Sequence, residues 1–376
     1  IPKPMKQGHY DDIHSWRPIA LLECQYKFFT AVLSRALHRW CLVNDLLHPL
    51  QKSLGPFDGC LEHNFLIRAI FDKHKYQTKV PMHAIFLDIA DAFGTISIES
   101  ILDLLLRMGL SLQSCQLIRE LYSNCSSRFI CGPMKTRDIS INVGVRQGCP
   151  LSMLLFNIGI NPLLLIIDLI TPSGTIIANH RLGGLAYADD LVLFSWNKGA
   201  AQEMLSSAEH TAGILGLTFR PSKCALLSIP QTNDKSISVN NTEIAIIKES
   251  DIQVYLGTNL GHFEASTPTT LFHRLITEYN AIANSGLLPW QKLQAKKTHI
   301  HSALVYAFRN FLIPVSDIYI KRGSTVIDCE FRKLDKQIAG LVQNASNAYL
   351  YAPSSLGGLG LSSVLDEYLA QSLAHA

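Results

Sequence analysis

The spacing of apolar residues in the first third of the chain predicts helices and one buried strand. Apolar residues recur at helical spacing between Trp16 and Trp40, after an extended "WRPIALL" segment, which predicts an amphipathic helix. The run "MHAIFLDIADAF" predicts a buried strand that ends in acidic residues, the first of which is Asp88. Ser97 then begins a predicted helix with one apolar stripe, which ends before Gly109.

The middle of the chain predicts short strands, one long apolar helix and a hairpin. The segments "SRFICG" and "DISINVGV" are typical of a pair of short strands. Pro150 is expected as the first residue of a helix through "LSMLLFNIGI", and this helix should break near Pro162. Two apolar runs, "LAYA" and "LVLFS", flank Asp189 and Asp190 and predict a hairpin with the two acids at its tip.

Helical patterns take over in the last third of the chain. "IQVYLGTNLG" predicts a short hairpin, and residues 267–344 then show long helical periodicity with few strand signals. We therefore predict an α+β fold with a domain change near residue 265. The expected division is residues 1–265 as a mixed domain, 266–350 as a helical domain, and 351–376 as a linker and the start of a downstream region.

Composition limits the partners of the chain. It has 376 residues, 48% of them hydrophobic, which is enough for a large core, and Lys and Arg (33) barely exceed Asp and Glu (30). A nucleic-acid partner must therefore be held by local basic patches. The most apolar segment, residues 153–170, contains Asn157, Pro162 and Asp168, so it is predicted to be a core helix and no membrane partner is expected.

The cysteines and the first residue indicate the context of the protein. The nine cysteines form no C-x-x-C pair, which favours reduced thiols in an intracellular protein of the cytoplasm and nucleus. The sequence opens at Ile1 without an initiator methionine, so we expect a piece of a longer polypeptide whose flanking domains are missing.

Two acidic positions suggest a metal-dependent reaction. Asp88 ends a predicted strand and Asp189 lies at a predicted hairpin tip, so a sheet that places these strands side by side would bring the two carboxylates together. Carboxylate oxygens suit Mg²⁺, and two such ions about 4 Å apart promote in-line phosphoryl transfer. The alternative is that each acid is an ordinary turn residue, which is the more common case for a single Asp.

The order of motifs resembles that of reverse transcriptases. The matching phrases are, in family order, "IPKP…WRPIALLECQYKFFTAVLSRAL", "FLDIADAF", "GVRQGCPLSMLLFN", "YADD", "LGLTFRPSKC" and "YLG". They cover residues 1–261 and look like those of non-LTR retrotransposons. "PFDGCLEHN", "AFGTI" and "ASNAYLYAPSSLGGLGL" are most similar to the site-specific elements that carry a restriction-like endonuclease. The resemblance implies a right-hand polymerase fold, with fingers, an antiparallel palm sheet with helices, and a helical thumb.

The resemblance also implies a metal site. Asp88 and Asp189 match the metal ligands, Asp190 is the adjacent acid of the catalytic set, and Ile89 would lend its backbone carbonyl. Two Mg²⁺ ions are expected, with Mn²⁺ as a substitute. Lys223 in "PSKC" matches a lysine near the leaving pyrophosphate that would serve as proton donor, although a solvated lysine at a strand end is an equal alternative.

Further positions match the nucleotide site of the family. Phe93 matches the aromatic residue that lies under the incoming sugar and favours deoxynucleotides, and a plain core aromatic is the alternative. Gln147 and Gly148 match the loop that contacts nucleotide and template. Arg17 matches the arginine that meets the triphosphate, with Lys3 as a weaker candidate and a surface ion pair as the alternative for Arg17.

The remaining implied contacts concern the primer and the template. Tyr187 is expected near the primer end, and Tyr255, Leu256 and Gly257 match the primer-grip hairpin. In the thumb, duplex contacts are expected from one aromatic and three basic residues, namely Trp290, Lys292, Lys296 and Lys297. A solvated helix face is the common alternative for such a charged cluster.

Three positions depart from the family pattern. Met153 replaces a common proline, and Gly94 stands where many relatives have Asp or Asn. Asp91 replaces a basic residue of several relatives and adds negative charge near the site. None of these changes removes an expected metal ligand.

The sequence thus predicts an RNA-directed DNA polymerase that extends a primer 3′-hydroxyl, in target-primed reverse transcription. Its expected partners are an RNA template, a DNA primer or nicked target DNA, and deoxynucleoside triphosphates. Two alternatives remain, a polymerase that makes RNA and an inactive or recruited palm that only binds RNA or protein. In the related elements a zinc knuckle and an endonuclease follow downstream, and neither lies within this sequence.

Overall fold

A computed structural model of the chain was analysed, and its contacts group the residues into two compact units. Unit 1 comprises Ile1–Gly59 and Ala69–Lys248, and unit 2 comprises Cys60–Arg68 and Glu249–Ala376. The structure describes residues 20–55, 58–78, 80–170, 174–177, 179–231, 236–262, 269–310 and 318–374.

The helices alternate with strands in the first part of the chain and then follow one another. They are α1 (Cys24–Val43), α2 (Gly59–Asp72), α3 (Ala92–Thr95), α4 (Ile98–Arg107), α5 (Leu112–Tyr122), α6 (Ser152–Leu169), α7 (Lys198–Ile214), α8 (Thr269–Ala283), α9 (Pro289–Ala295), α10 (Ser302–Asn310), α11 (Ile318–Ile338), α12 (Ala348–Tyr351) and α13 (Val364–Ala374). A π-helical turn follows α2 at Lys73–Gln77 and another follows α9 at Lys296–His301.

The strands of the described residues are short. They are β1 (Met82–Leu87), β2 (Cys125–Ser127), β3 (Ile130–Cys131), β4 (Met134–Lys135), β5 (Ile139–Ile141), β6 (Thr175–Ile177), β7 (His180–Leu182), β8 (Gly184–Tyr187), β9 (Asp190–Ser195), β10 (Ala225–Ile229), β11 (Ser238–Val239), β12 (Thr242–Glu243), β13 (Ala245–Ile246), β14 (Gln253–Tyr255) and β15 (Thr258–Leu260).

The main sheet of unit 1 has β1 at its centre. Its strand order is β13-β10-β1-β9-β8, and every pair is antiparallel except β10 with β13. All six residues of β1 are buried, which explains why its sequence does not alternate between apolar and polar residues, and the one polar residue, His83, lies 2.8 Å from the hydroxyl of Ser228. The predicted strand before Asp88 and the predicted hairpin around Asp189 are both confirmed.

Helix α6 supports this sheet and differs from its prediction in two respects. It begins at Ser152, because Pro150 lies in the preceding turn, and it continues through Pro162 without a break. Proline removes one amide donor, but twelve residues of the helix are buried, eight of them in the same apolar cluster as β1, and this packing keeps the helix continuous. Length and hydropathy alone would allow this helix to span a membrane, and 67% of its residues are buried inside the protein.

The predicted pair of short strands between α5 and α6 is present, because Ser127 of the first segment pairs with Ile139 of the second. β5 pairs with β2, and β3 forms its own tight hairpin with β4. Alternation predicts that strands exist, but the partner of each strand depends on turn geometry.

Unit 2 contains its own apolar core. Buried residues of α8, α10, α11 and α13 form this core, among them Tyr279, Phe308, Phe331 and Tyr368. The carboxylate of Asp328 accepts hydrogen bonds from the amides of Val364 (2.7 Å) and Leu365 (3.0 Å), so it caps the start of α13. Residues 249–262 are grouped with these helices. The division into domains at residue 265 stays a prediction.

Candidate functional site

The sheet places Asp88 and Asp190 opposite each other. Leu87 of β1 pairs with Leu191 of β9, and the next step of this antiparallel register aligns Asp88 with Asp190. Directly opposed residues have side chains on one face of the sheet, about 5 Å apart at Cβ. The sheet therefore juxtaposes two of the predicted carboxylates, although they lie a hundred positions apart in the sequence.

Asp189 lies in the turn that precedes this pair. Tyr187 pairs with Asp190, so the turn consists of Ala188 and Asp189, and Ala188 has a φ of 51°. A left-handed residue in a two-residue turn matches the strand twist, and here it occurs at alanine in place of the usual Asn or Gly. Tyr187 is half-buried at the end of β8.

Gln51 fixes the turn from outside the hairpin. Its amide nitrogen donates to the carbonyl oxygen of Ala188 (3.2 Å), and its carbonyl oxygen accepts from the Ala188 amide (2.8 Å). The neighbouring backbone is also hydrogen-bonded: the Lys52 amide donates to the Ala186 carbonyl, and the Ala186 amide donates to the Leu50 carbonyl. The role of Gln51 is not predictable from the sequence, because nothing in the local pattern relates this residue to a hairpin 137 positions away.

The environment of Asp190 opposes its ionisation. Burial, followed by the charges of Asp189 and Asp88, raises the pKa of Asp190 from 3.8 to about 6, and the charge of Lys223 opposes this shift. Asp190 keeps solvent-exposed surface, but the surrounding protein removes part of its hydration. The Lys223 ammonium lies 3.4 Å from Oδ1 of Asp88, so the predicted lysine is next to the acids.

The donor set fits a divalent cation. Oδ2 of Asp88 is buried without a hydrogen-bond partner in the described part of the chain. Ile89 forms an antiparallel bridge with Phe219, in which the Asp88 carbonyl accepts from Arg220 and the Ala90 amide donates to Thr218. The Ile89 carbonyl, which was predicted to bind the metal, takes no part in these hydrogen bonds. No three His, Cys, Asp or Glu side chains among the described residues are grouped to hold a metal alone. Ions of this kind commonly use one or two carboxylates and complete their shell with water and substrate phosphates.

Phe93 is fixed by contacts to two other segments of unit 1. Its ring stacks on the ring of Phe156 at 4.7 Å with an interplanar angle of 13°, and its carbonyl accepts from the Val145 amide (2.7 Å). Gly144 has a φ of 86°, and a Cβ there would lie 2.6 Å from the carbonyl oxygen of Phe93. Only glycine fits this approach of two backbones. Phe93, the residue predicted to contact the sugar, is thus packed against and hydrogen-bonded to residues 144–145, which precede Gln147.

Gln147 and Gly148 form an exposed loop whose base is fixed by Arg146. The Arg146 guanidinium lies between two rings, 5.0 Å from the centroid of Tyr26 and 5.3 Å from that of Tyr122. It also donates to the carbonyl of Leu121 (2.8 Å). The quoted motif contains Arg146, but its role was missed because its two ring partners come from α1 and α5.

The predicted primer-grip residues form a hairpin in unit 2. Tyr255 is buried and its hydroxyl lies 3.2 Å from Nδ1 of His63. Leu256 and Gly257 are the two turn residues, with φ values of 43° and 72°. The hydroxyl of Tyr306 donates to the Leu256 carbonyl, so α10 holds this turn.

The predicted thumb cluster divides into exposed and buried members. Trp290 is 65% exposed, whereas Lys292 and Lys297 donate to the carbonyls of Ala283 (2.6 Å) and Leu359 (3.0 Å). Lys296 is buried and pairs with Asp335 at 2.6 Å, so its ammonium is not presented to a phosphate at the surface. The helical pattern gave the spacing of these lysines but not which of them faces the core. Arg17 and Lys3 lie outside the described residues.

A family model described as "Reverse transcriptase (RNA-dependent DNA polymerase)" matches residues 1–260. The chain belongs to the reverse transcriptase family. The expected α+β right-hand polymerase fold is thereby confirmed. Divalent metal dependence is a general property of this family, and the carboxylate arrangement fits it.

The chain is similar over most of its length to proteins of R2 elements. It is 27% identical to the "Retrovirus-related Pol polyprotein from type-1 retrotransposable element R2" of Popillia japonica, over 95% of this chain and 49% of that protein. It is 26% identical to the R2 protein of Nasonia vitripennis, with coverage of 95% and 34%. The chain thus spans half or less of these relatives. The predicted relationship to non-LTR retrotransposons is confirmed, and the endonuclease association stays a prediction.

A solved structure of telomerase from Candida tropicalis, in complex with a fragment of telomeric RNA, is also similar to this chain. The identity is 12% and the TM-score 0.43, over 94% of this chain and 58% of the other.

Proposed function

We propose that this chain is the polymerase region of a non-LTR retrotransposon protein, which extends a primer 3′-hydroxyl with deoxynucleotides on an RNA template. The observation that supports this activity is the juxtaposition of Asp88 and Asp190 across β1 and β9, with Asp189 in the adjoining turn. The full protein would act in target-primed reverse transcription, with nicked DNA as primer. It would work inside the cell, in the cytoplasm and nucleus.

The residues of unit 1 have separate roles in this proposal. Asp88, Asp189 and Asp190 would hold Mg²⁺, for which Mn²⁺ would substitute, together with the Ile89 carbonyl. The bound ions would activate the primer hydroxyl and neutralise the leaving phosphate. Phe93 would exclude a 2′-hydroxyl, because its ring is fixed against Phe156 and has little freedom to withdraw. Lys223 would deliver a proton to the leaving pyrophosphate.

The contacts to the nucleic acid are part of the same proposal. Gln147 and Gly148 would contact the nucleotide and template, and Arg17, with Lys3, would meet the triphosphate. Tyr187 would approach the primer end. The hairpin of Tyr255, Leu256 and Gly257 would guide the primer, and Trp290, Lys292 and Lys297 would contact the duplex.

Primer extension on an RNA template with Mg²⁺ tests the activity. The wild-type chain is compared with Asp189→Ala and with Asp103→Ala, a control that removes an exposed carboxylate from α4. We expect extension by the wild type and the control, and a loss of at least about a hundredfold in Asp189→Ala. Equal extension by Asp189→Ala would exclude the mechanism. Duplex binding without extension by the wild type would instead favour a palm that only binds nucleic acid.

A further inference from the structure

A cavity of about 280 Å³ lies at the end of the sheet remote from the acids. Trp196 follows the last residue of β9, and Val80 precedes the first residue of β1, so both lie at this end. Asp190 begins β9, and six residues of extended strand span about 20 Å. The cavity is therefore separate from the proposed catalytic site, although both belong to unit 1.

The walls of this cavity combine cationic and apolar side chains. The described lining residues are Lys73, His74, Thr78, Val80, Gly174, Thr175, Ile176, Arg181 and Trp196, and none of them is acidic. Trp196 is 45% exposed and Arg181 is also exposed. The accessible wall of the cavity is almost wholly apolar, and the basic residues Lys73 and Arg181 are among the residues that line it.

The charge around the cavity is unusual for this chain. The described residues of the segments 73–80, 174–182 and 196–198 include three lysines and one arginine without any Asp or Glu, although the whole chain is nearly balanced. The nearest acid in the sequence is Asp72, which is absent from the lining. Tyr76, in the π-helical turn beside the cavity, is 69% exposed. Basic residues interleaved with exposed aromatic residues are typical of surfaces that bind single-stranded nucleic acid.

The cavity is also rigidly built. Nδ1 of His74 donates to the Val80 carbonyl (2.9 Å), and the hydroxyl of Thr175 lies 2.8 Å from Nε2 of the same ring. Lys73 donates to the carbonyl of Ile176, which joins the π-helical turn to β6. Burial lowers the pKa of His74, so the ring is neutral at pH 7, and its two hydrogen bonds join Val80 to Thr175. The lining is therefore preorganised before any ligand binds.

We propose that this cavity binds single-stranded RNA, with a base stacked on Trp196 and the backbone phosphates next to Lys73 and Arg181. An unpaired strand is required because the bases of a duplex are covered and cannot reach the indole. RNA is preferred because Thr78 lines the cavity, and its hydroxyl, which accepts from the Val80 amide (3.1 Å), keeps its own hydrogen to donate to a 2′-hydroxyl. This choice of RNA rests on the proposed function, whereas the cavity and its charge do not. The site would hold an RNA segment apart from the paired template end.

Photocrosslinking locates the bound strand. The probe is an oligouridine RNA of about twelve nucleotides with one 4-thiouridine, mixed with the full chain. We expect crosslinked peptides that contain Trp196 or residues 73–80. Trp196→Ala should weaken probe binding by about fivefold to a hundredfold, and Trp196→Phe should restore most of it, because phenylalanine keeps a stacking surface. Arg107→Ala, which removes an exposed arginine from α4, is the matched control for Arg181→Ala and should bind like the wild type.

Three results would overturn the proposal. These are crosslinks confined to other peptides, wild-type affinity in a folded Trp196→Ala variant, and equal or tighter binding of oligothymidine DNA. Circular dichroism checks the fold of each variant. Extension at saturating primer–template should be unchanged in Trp196→Ala, so a failure of the polymerase assay in the wild type is distinguishable from a failure of this site.

Discussion

Gln51 holds the peptide unit of Ala188 by two hydrogen bonds, one in each direction. The contact joins the segment after α1 to the turn that carries Asp189, so the position of that carboxylate depends on a residue outside the sheet. Ala188 has a left-handed backbone, which alanine adopts at a cost, and the clamp offsets that cost.

Replacement of Gln51 by Ala should therefore reduce catalysis more than stability. The loss of two buried hydrogen bonds should cost about 1–3 kcal/mol of unfolding free energy and lower kcat for extension at least about tenfold. Gln202 supplies a matched control, because its amide clamps Ser238 in the same two-way manner at 3.0 and 2.9 Å. Gln202→Ala should lose similar stability and keep kcat, and an equal loss of kcat in both variants would contradict the assignment.

Arg146 should determine affinity for the nucleotide through the loop that follows it. Arg146→Ala removes the cation from between Tyr26 and Tyr122 and the bond to the Leu121 carbonyl, at a cost of about 1–3 kcal/mol. We expect KM for the deoxynucleotide to rise about tenfold or more, with unchanged affinity for primer–template.

Lysine should not rescue this position, because its ammonium lacks the planar surface that stacks between two rings. Arg119→Ala, on the same α5 that carries Tyr122, removes an exposed arginine paired with Glu99 and serves as control. Steady-state kinetics with varied nucleotide measures both variants, and full rescue by Arg146→Lys would show that charge alone matters.

The Lys296–Asp335 pair should contribute to folding and not to nucleic-acid binding. Lys296→Met leaves a buried carboxylate without its cation, which typically costs about 3–5 kcal/mol, whereas Lys296→Met with Asp335→Leu should recover most of that loss. Urea unfolding measures the stability. The salt dependence of duplex affinity should be the same in the folded double variant and the wild type, because that ammonium releases no counterions from phosphates. A weaker salt dependence of duplex affinity in the double variant would show that Lys296 contacts the nucleic acid.

Asp190 should make the metal-free protein less stable as the pH rises. Its pKa in the folded protein is about 6 and its ordinary value is 3.8, so the folded state binds the proton more tightly. The stabilisation is present below about pH 4 and is lost as the pH rises through about 6. In EDTA, Asp190→Asn should have a higher Tm than the wild type at pH 7.5, and this difference should shrink towards pH 4. Asp103→Asn is the exposed control, and a pH-independent difference for Asp190→Asn would refute the prediction.

The sequence predicted the features that depend on local pattern. The apolar residues before Asp88 and the two apolar runs around Asp189 specified strands, and the antiparallel sheet aligns Asp88 with Asp190, the neighbour of the acid that was expected beside it. The motifs from "FLDIADAF" to "YADD" supplied the order that made these carboxylates meaningful.

The missed features depend on which residues meet across the fold. The clamp by Gln51 and the two rings around Arg146 join segments far apart in the sequence, and no periodicity relates them. Helical spacing also could not show that Lys296 faces inward, because a buried lysine needs a partner such as Asp335 that only the packing supplies. The continuity of α6 at Pro162 has the same origin, since burial outweighs the local cost of proline.

The close approach at Gly144 has a consequence for how copies of such an element decay. Any side chain at this position would displace the Phe93 backbone and would strain a left-handed residue, although the sequence would still contain every carboxylate. A genomic copy with an intact "YADD" and a substituted first glycine in "GVRQG" should therefore be silent. An inventory of surviving elements needs to inspect this glycine as well as the acids.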